Sequence, residues 1–168
     1  MAVNTAMASI TPSLWFDNDL EEAAEFYTSV FPNSHIEAFN RTTDAGPGEP
    51  GTVLSGSFVL DGTRFIGING GPQFPFSYAV SFTVHCKDQD EVDYYWERLT
   101  DGGEESQCGW LKDRFGLSWQ IIPDRLYESL SDPDRARAAA ATTAMYGLRK
   151  IVIAGLEEAA VLAGQLAR

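Results

Sequence analysis

His35, His85, Cys86 and Cys108 are the only histidines and cysteines of this chain, and with the carboxylates they set its reactive repertoire. Their number and spacing provide neither a Cys/His zinc cluster nor a disulfide framework. Cys108 stands in Gln107-Cys108-Gly109-Trp110, with Lys112 close behind. A cation near a thiol lowers its pKa and makes it a nucleophile. Without that help a free cysteine behaves as a small hydrophobe. Strand alternation is expected to turn Lys112 elsewhere or into solvent, so Cys108 is read as inert or ligand-contacting. Trp110 is a candidate stacking plate beside it. Cys86 is expected to pack under a helix, and both histidines to lie at the surface or rim.

Carboxylates dominate the charge. Lys and Arg number 12 and Asp and Glu 24, for a net charge of −12. Such a chain repels phosphate backbones and anionic membranes, so neither nucleic acid nor membrane is expected as a partner. The excess is localised. Residues 129–168 hold five basic and four acidic groups, whereas residues 1–128 hold seven basic and twenty acidic ones. No run of about 18 apolar residues occurs, and the first residues lack the basic start and apolar centre of a signal peptide. With unpaired thiols, the expectation is a cytoplasmic protein.

These side chains must be positioned by strands and helices, and the apolar periodicity shows an order that occurs twice. Leu20, Ala23, Ala24, Tyr27, Val30 and Phe31 recur at helical spacing, opposite Glu21, Glu22 and Glu25. Asp19 with Glu22 has the spacing of a capping box. An apolar segment from Ile10 to Phe16 precedes this helix. Segments His35 to Thr42, Thr52 to Leu60 and Arg64 to Asn69 follow it, the last two joined by an Asp61-Gly62 turn. The order is βαβββ. It recurs with Ala79 to Val84 as strand, Asp88 with Glu91 as the second capping box, and Val92, Tyr95, Trp96 and Leu99 as the stripe. Strands around Glu105 to Cys108, Gly109 to Lys112 and Leu117 to Ile122 complete it. Ser131-Asp132-Pro133 is expected to cap an Ala-rich helix reaching about Tyr146, with another helix over Ile151 to Leu166. The expected fold is α+β: paired βαβββ modules over residues 8–72 and 73–128, with a C-terminal helical tail over 129–168.

The duplicated βαβββ unit resembles the vicinal-oxygen-chelate superfamily, which includes glyoxalase I, extradiol dioxygenases and bleomycin-resistance proteins. Within it, the motifs Ile10-Thr-Pro-Ser-Leu-Trp-Phe16, Glu21-Glu-Ala-Ala-Glu-Phe-Tyr27, Asn69-Gly-Gly-Pro72 and Glu91-Val-Asp-Tyr-Tyr-Trp96 are similar to the PhnB-like family. So are Cys108-Gly-Trp-Leu-Lys-Asp113 and Gly116-Leu-Ser-Trp-Gln-Ile-Ile-Pro123. That family is often labelled demethylubiquinone methyltransferase-like.

The resemblance implies a small-molecule cavity between the modules and a homodimer. It also implies a metal held by cavity-facing residues of the first and last strands. Counted back from the helix starts, those positions fall on Pro12, Ser81, Gln120 and Gly67. None is the carboxylate, imidazole or thiolate that zinc or iron requires, so no metal and no cofactor is expected. With Gln120 facing the cavity, as the resemblance implies, strand parity places Pro12, Leu14, Phe16, Phe65, Gly67, Asn69, Ser81, Thr83, His85, Ser118, Gln120 and Ile122 on the cavity side. The expected ligand contacts are Phe16, Asn69, Ser81, Thr83, Cys108, Trp110 and Gln120, with no catalytic residue assigned. This lining suits a small aromatic or amphipathic molecule. One alternative is a metal-dependent lyase or dioxygenase of the same superfamily. Another is a quinone-related methyltransferase, which the glycines argue against: none forms the G-x-G-x-x-G strand-to-helix turn of a Rossmann cofactor site.

Overall fold

The computed structural model describes residues 10–44 and 49–166 of the chain. It divides into two compact units, residues 1–75 and 76–168.

The first unit contains β1 (Ser13–Phe16), α1 (Leu20–Val30), β2 (His35–Arg41), β3 (Val53–Leu60) and β4 (Thr63–Asn69). Its sheet order is β1-β4-β3-β2, with β1 parallel to β4 and the other pairs antiparallel. The stripe read from sequence is the buried face of α1: Leu20, Ala23, Ala24 and Tyr27 are fully covered. Beneath it Phe58 stacks on Phe65 at 5.6 Å, and Tyr27 lies 6.3 Å from Phe58. Gly67 leaves the room that Leu20 fills, since a Cβ there would lie 2.0 Å from Leu20 Cδ1.

The second unit repeats the order with β5 (Ser81–Cys86), α2 (Gln89–Thr100), β6 (Glu104–Glu105), β7 (Trp110–Lys112) and β8 (Ser118–Pro123). Its sheet order is β5-β8-β7-β6, again with the first pair parallel. Val92, Trp96 and Leu99 of α2, together with Leu111, Trp119 and Ile121 of the sheet, form its buried side. Three helices follow: α3 (Asp124–Leu130), α4 (Arg135–Tyr146) and α5 (Ile153–Leu166).

The helix starts differ from each other. Asp88 Oδ1 accepts from Glu91 N at 3.0 Å, and Glu91 Oε2 accepts from Lys87 N at 2.9 Å, so a reciprocal cap forms at α2. At α1 the expected capping box is absent. The Leu20 N–H instead donates to Asn69 Oδ1 at 3.0 Å, from the end of β4. Asp19 Oδ1 is buried without a hydrogen-bond partner. That burial, with Asp17 and Glu22 as neighbouring like charges, pushes the Asp19 carboxyl above the ordinary aspartate range.

The helical tail also starts elsewhere than expected. Asp134, not the Ser131-Asp132-Pro133 segment, caps α4, its Oδ1 accepting from Ala136 N at 2.9 Å and Arg137 N at 3.4 Å. The short α3 was not anticipated; it lies directly after β8 and carries Leu126 into a cluster with Ile122, Ile151 and Leu156. The segment before α5 is strapped to the second sheet by backbone and side chain. Cys108 N donates to Leu148 O at 2.8 Å and Gly109 N to Arg149 O at 2.7 Å. Gln89 Nε2 donates to Ile151 O, and Gln89 Oε1 accepts from Ile153 N at 2.9 Å. The tail therefore shares a core with the second unit.

Cys86 is fully buried beside α2, and burial, with Glu91, Asp124 and Asp88 nearby, pushes its thiol pKa up to about 12. An unfolded cysteine ionises near pH 8.5. Above that pH the unfolded chain releases a proton that the folded one keeps, so stability falls as pH rises toward about 12 and is full below about 8. Urea unfolding at pH 8 and 10 is expected to show this loss, and Cys86→Ala to reduce it. An unchanged pH slope in the variant would place the loss on other groups.

Candidate functional site

The two strand-to-helix turns decide which side chains face away from the helices. Cys86 and Gln89 are separated by two residues, Lys87 and Asp88, whereas Phe16 and Leu20 are separated by three, Asp17 to Asp19. The extra residue is taken up at Asn18, whose φ of 65° is left-handed. Because strand side chains alternate with a period of two, one extra residue exchanges the faces. Aligning the modules on their helix starts therefore mismatches their strands by one position.

The consequence is a correction to the first-module lining. Leu14 pairs with Gly67 and Phe16 with Asn69 in the β1–β4 register. All of these face α1: Phe16 is 1% exposed, Phe65 stacks on Phe58, and Asn69 caps the helix. The opposite face carries Ser13, Trp15, Ile66 and Ile68 instead. Phe16 is thus a core residue. Asn69 is a structural bridge, with its Nδ2 donating to Val53 O at 2.9 Å.

In the second unit Ser81, Thr83, Trp110 and Gln120 share the face away from α2. The register pairs Thr83 and Trp110 with Gln120 on either side, and Ser81 with Ser118. Gln120 Nε2 donates to Ser81 Oγ at 2.9 Å. Tyr78, not foreseen from sequence, leans over this face: its ring centroid is 6.2 Å from that of Trp110 and 4.3 Å from Lys112 Nζ. Lys112 has the same parity as Trp110, so it stands on this face and not away from it. The far end, at His85 and Ile122, lies against α3: the His85 ring is 6.0 Å from Tyr127, and its Nδ1 is 3.7 Å from Asp124.

Cys108 lies outside the strands, in the turn that grips the tail. Its φ of 59° and the 83° of Gly109 aim two consecutive N–H groups at Leu148 and Arg149. This gives Cys108 a structural duty that its neighbours in sequence do not reveal.

Asp113, which the sequence marks only as the first residue of a turn, has a larger part in the structure. It is 3% exposed, its Oδ1 accepts from Phe115 N and Leu117 N, and its Oδ2 accepts from Trp119 Nε1 at 2.8 Å. One carboxylate thereby folds the β7–β8 turn and fixes the strands that carry Trp110, Lys112 and Gln120. The Asp113-Arg-Phe-Gly116 turn was the available signal, since an aspartate opening such a turn commonly accepts backbone N–H groups.

With the register corrected, the strand positions equivalent to Ser81 and Gln120 in the first unit are Thr11 and Ile66. Two hydroxyls, an amide and a hydrocarbon provide no anionic or imidazole ligand, so this set does not fit a zinc or iron ion. Among the described residues, no three His, Cys, Asp or Glu side chains converge as a metal site elsewhere. Neither strand-to-helix turn contains a glycine, and both carry aspartate. No helix among the described residues is long and apolar enough to cross a membrane.

Two βαβββ modules, each with a parallel outer pair, one helix and an alternating open face, define the vicinal-oxygen-chelate fold. The chain belongs to its PhnB-like family: the family model described as 3-demethylubiquinone-9 3-methyltransferase matches residues 8–122. A PhnB protein of Bacillus cereus given the same methyltransferase description is 34% identical, with a TM-score of 0.64 over 69% of this chain and 99% of that one. Protein PA1353 of Pseudomonas aeruginosa shares the fold at 19% identity and a TM-score of 0.59, covering 70% of this chain and 98% of its own. The fosfomycin resistance protein FosX of Listeria monocytogenes shares it at 16% identity and a TM-score of 0.51, covering 73% and 97%. No curated protein matches the chain.

Proposed function

We propose that this PhnB-like protein binds a small aromatic or amphipathic molecule without a metal, on the open face of the second sheet. The observation that carries the reading is the grouping of Ser81, Thr83, Trp110 and Gln120 on one face, with Tyr78 beside them. Two aromatic rings offer a stacking surface, and neutral hydroxyl and amide groups orient a ligand without a buried charge. Phe16 and Asn69 support the first sheet, and Cys108 anchors the tail. The methyltransferase description gains no support from the strand-to-helix turns, which lack the glycines that hold a Rossmann cofactor. The reading includes a homodimer in the cytoplasm, in keeping with its unpaired thiols.

Elemental analysis of protein purified without chelator is expected to show no stoichiometric divalent metal. One metal per chain, lost in Gln120→Ala, would overturn the metal-free assignment. A thermal-shift panel containing S-adenosylmethionine, quinones and aromatic antibiotics separates the remaining possibilities. A ligand at about 100 times its Kd stabilises the folded state by about 2.7 kcal/mol, enough to move the melting temperature by several degrees. Stabilisation by the aromatic compounds, and none by S-adenosylmethionine, is the expected result. The reverse would favour the methyltransferase.

A further inference from the structure

We infer that Lys112 is a positioning residue of the aromatic face: its ammonium holds the Tyr78 ring beside Trp110, so that a planar ligand meets the two rings as a preset corner. This rests on the binding reading above and adds which residue governs the affinity of that face. The two rings are held in different ways. Trp110 belongs to β7, its backbone accepting from Ser106 N at 2.9 Å and donating to Gln107 O at 3.1 Å. Tyr78 lies in the irregular stretch before β5 and is 46% exposed. Among the described residues it forms no hydrogen bond, and the adjacent Ala79 N turns to Ser77 Oγ. An exposed side chain without such ties changes rotamer within nanoseconds unless contacts on its ring restrain it.

Two contacts restrain it. The Trp110 ring is 6.2 Å away and tilted by 58°, and Lys112 Nζ is 4.3 Å from the centre of the Tyr78 ring. An ammonium that close to a ring face is attracted by the ring's quadrupole. Its placement is specific. Lys87 and Lys150, the chain's other lysines, sit on carboxylates, 2.8 Å from Glu91 and 2.6 Å from Asp93. Lys112 also has a carboxylate at hand, because the register sets the exposed Glu104 of β6 opposite it. Its ammonium nevertheless lies on the Tyr78 ring. Lys112 follows Trp110 by two residues on β7, so one strand carries both the fixed ring and the cation that holds the movable one. A ligand stacking on Trp110 therefore finds Tyr78 already ordered at its edge, which lowers the entropic cost of binding.

The test is a double-mutant cycle on the full-length chain with 2-naphthamide, a probe without a charge for the lysine to attract. Affinity and the Trp110 indole signal are followed in 1H–15N spectra. Tyr78→Ala and Lys112→Met are each expected to weaken the probe about two- to fivefold, the range an exposed cation–π contact allows. The double variant is expected to be no weaker than Tyr78→Ala alone, since the lysine acts only through the ring. Lys112→Arg, which keeps the cation, is expected to retain wild-type affinity. In the free protein the Trp110 indole signal is expected to move in Tyr78→Ala and Lys112→Met and to stay in place in Lys112→Arg, a pattern that lost stability alone does not produce. Additive losses in the double variant, or undiminished affinity in Lys112→Met while Tyr78→Ala weakens binding, would overturn the positioning role and leave the aromatic-binding reading standing. A loss in Glu104→Gln equal to that in Lys112→Met would overturn it too, by assigning the lysine to the β6–β7 hairpin. If the probe perturbs neither Trp110 nor Gln120 in wild type, the binding face fails and this inference fails with it.

Discussion

Asp113→Ala is expected to destabilise the second unit by about 3–5 kcal/mol, the largest effect of any single polar truncation described above. The carboxylate holds two backbone N–H groups and the Trp119 indole N–H in a site only 3% exposed. Each buried donor left without a partner costs roughly 1–3 kcal/mol, and bonds to an ionised acceptor lie at the upper end. Asp113→Asn is expected to recover part of the loss, because its amide oxygen can still accept. Urea unfolding followed by tryptophan fluorescence measures both. A loss below about 1 kcal/mol for Asp113→Ala would mean that water replaces the carboxylate and that the turn does not depend on it. Because β7 and β8 carry the proposed ligand contacts, affinity for an aromatic probe is expected to fall along with stability.

Gly103→Ala is the second large effect, and its cause is steric. A Cβ at residue 103 would lie 2.1 Å from Lys112 O and 2.9 Å from the Cα and carbonyl carbon of Asp113. These are backbone atoms, so no rotamer change relieves the overlap, and the β6–β7 hairpin has to open. A destabilisation of about 3 kcal/mol or more is expected, in the range of backbone-incompatible substitutions. Gly67→Ala is a useful contrast. Its Cβ would meet only the side-chain end of Leu20, at 2.0 Å, and a leucine can turn partly aside. The two variants compared in the same denaturant series should therefore rank Gly103→Ala as the more damaging. The opposite order would mean that the hairpin yields more easily than the helix–sheet core.

The modules' strands and helices were legible because local signals agree there. Apolar residues at helical spacing mark α1 and α2, and the Asp61-Gly62 turn, with φ of 45° and 76°, joins β3 to β4 where that pair of residues suggests. What escaped the sequence depends on the count of residues in a turn or on distant contacts. The extra residue between Phe16 and Leu20 carries no compositional mark, yet it exchanges the faces of β1 and of its partner β4. Five of the twelve expected lining residues, Leu14, Phe16, Phe65, Gly67 and Asn69, consequently lie under α1. Ser81, Thr83 and Gln120 share one face of the second sheet, as strand parity predicts, because the parity reference and the strands coincide there. Tyr78 precedes β5 in a stretch without periodicity, so only the folded chain shows it over Lys112. Similarly, α3 is too short, at seven residues, to display more than one repeat of its apolar spacing.

The different caps of α1 and α2 bear on the order in which the chain gains structure. The start of α2 is specified within five residues, from Lys87 to Glu91, and its reciprocal hydrogen bonds close small loops. The start of α1 depends on Asn69, which is 49 residues away from Leu20. Closing a loop of that length carries a larger entropic penalty than closing a turn. The α2 terminus can therefore form during the earliest local collapse, whereas the α1 terminus is completed only when β4 has joined β1. A duplicated architecture has thereby acquired two unequal nucleation sites.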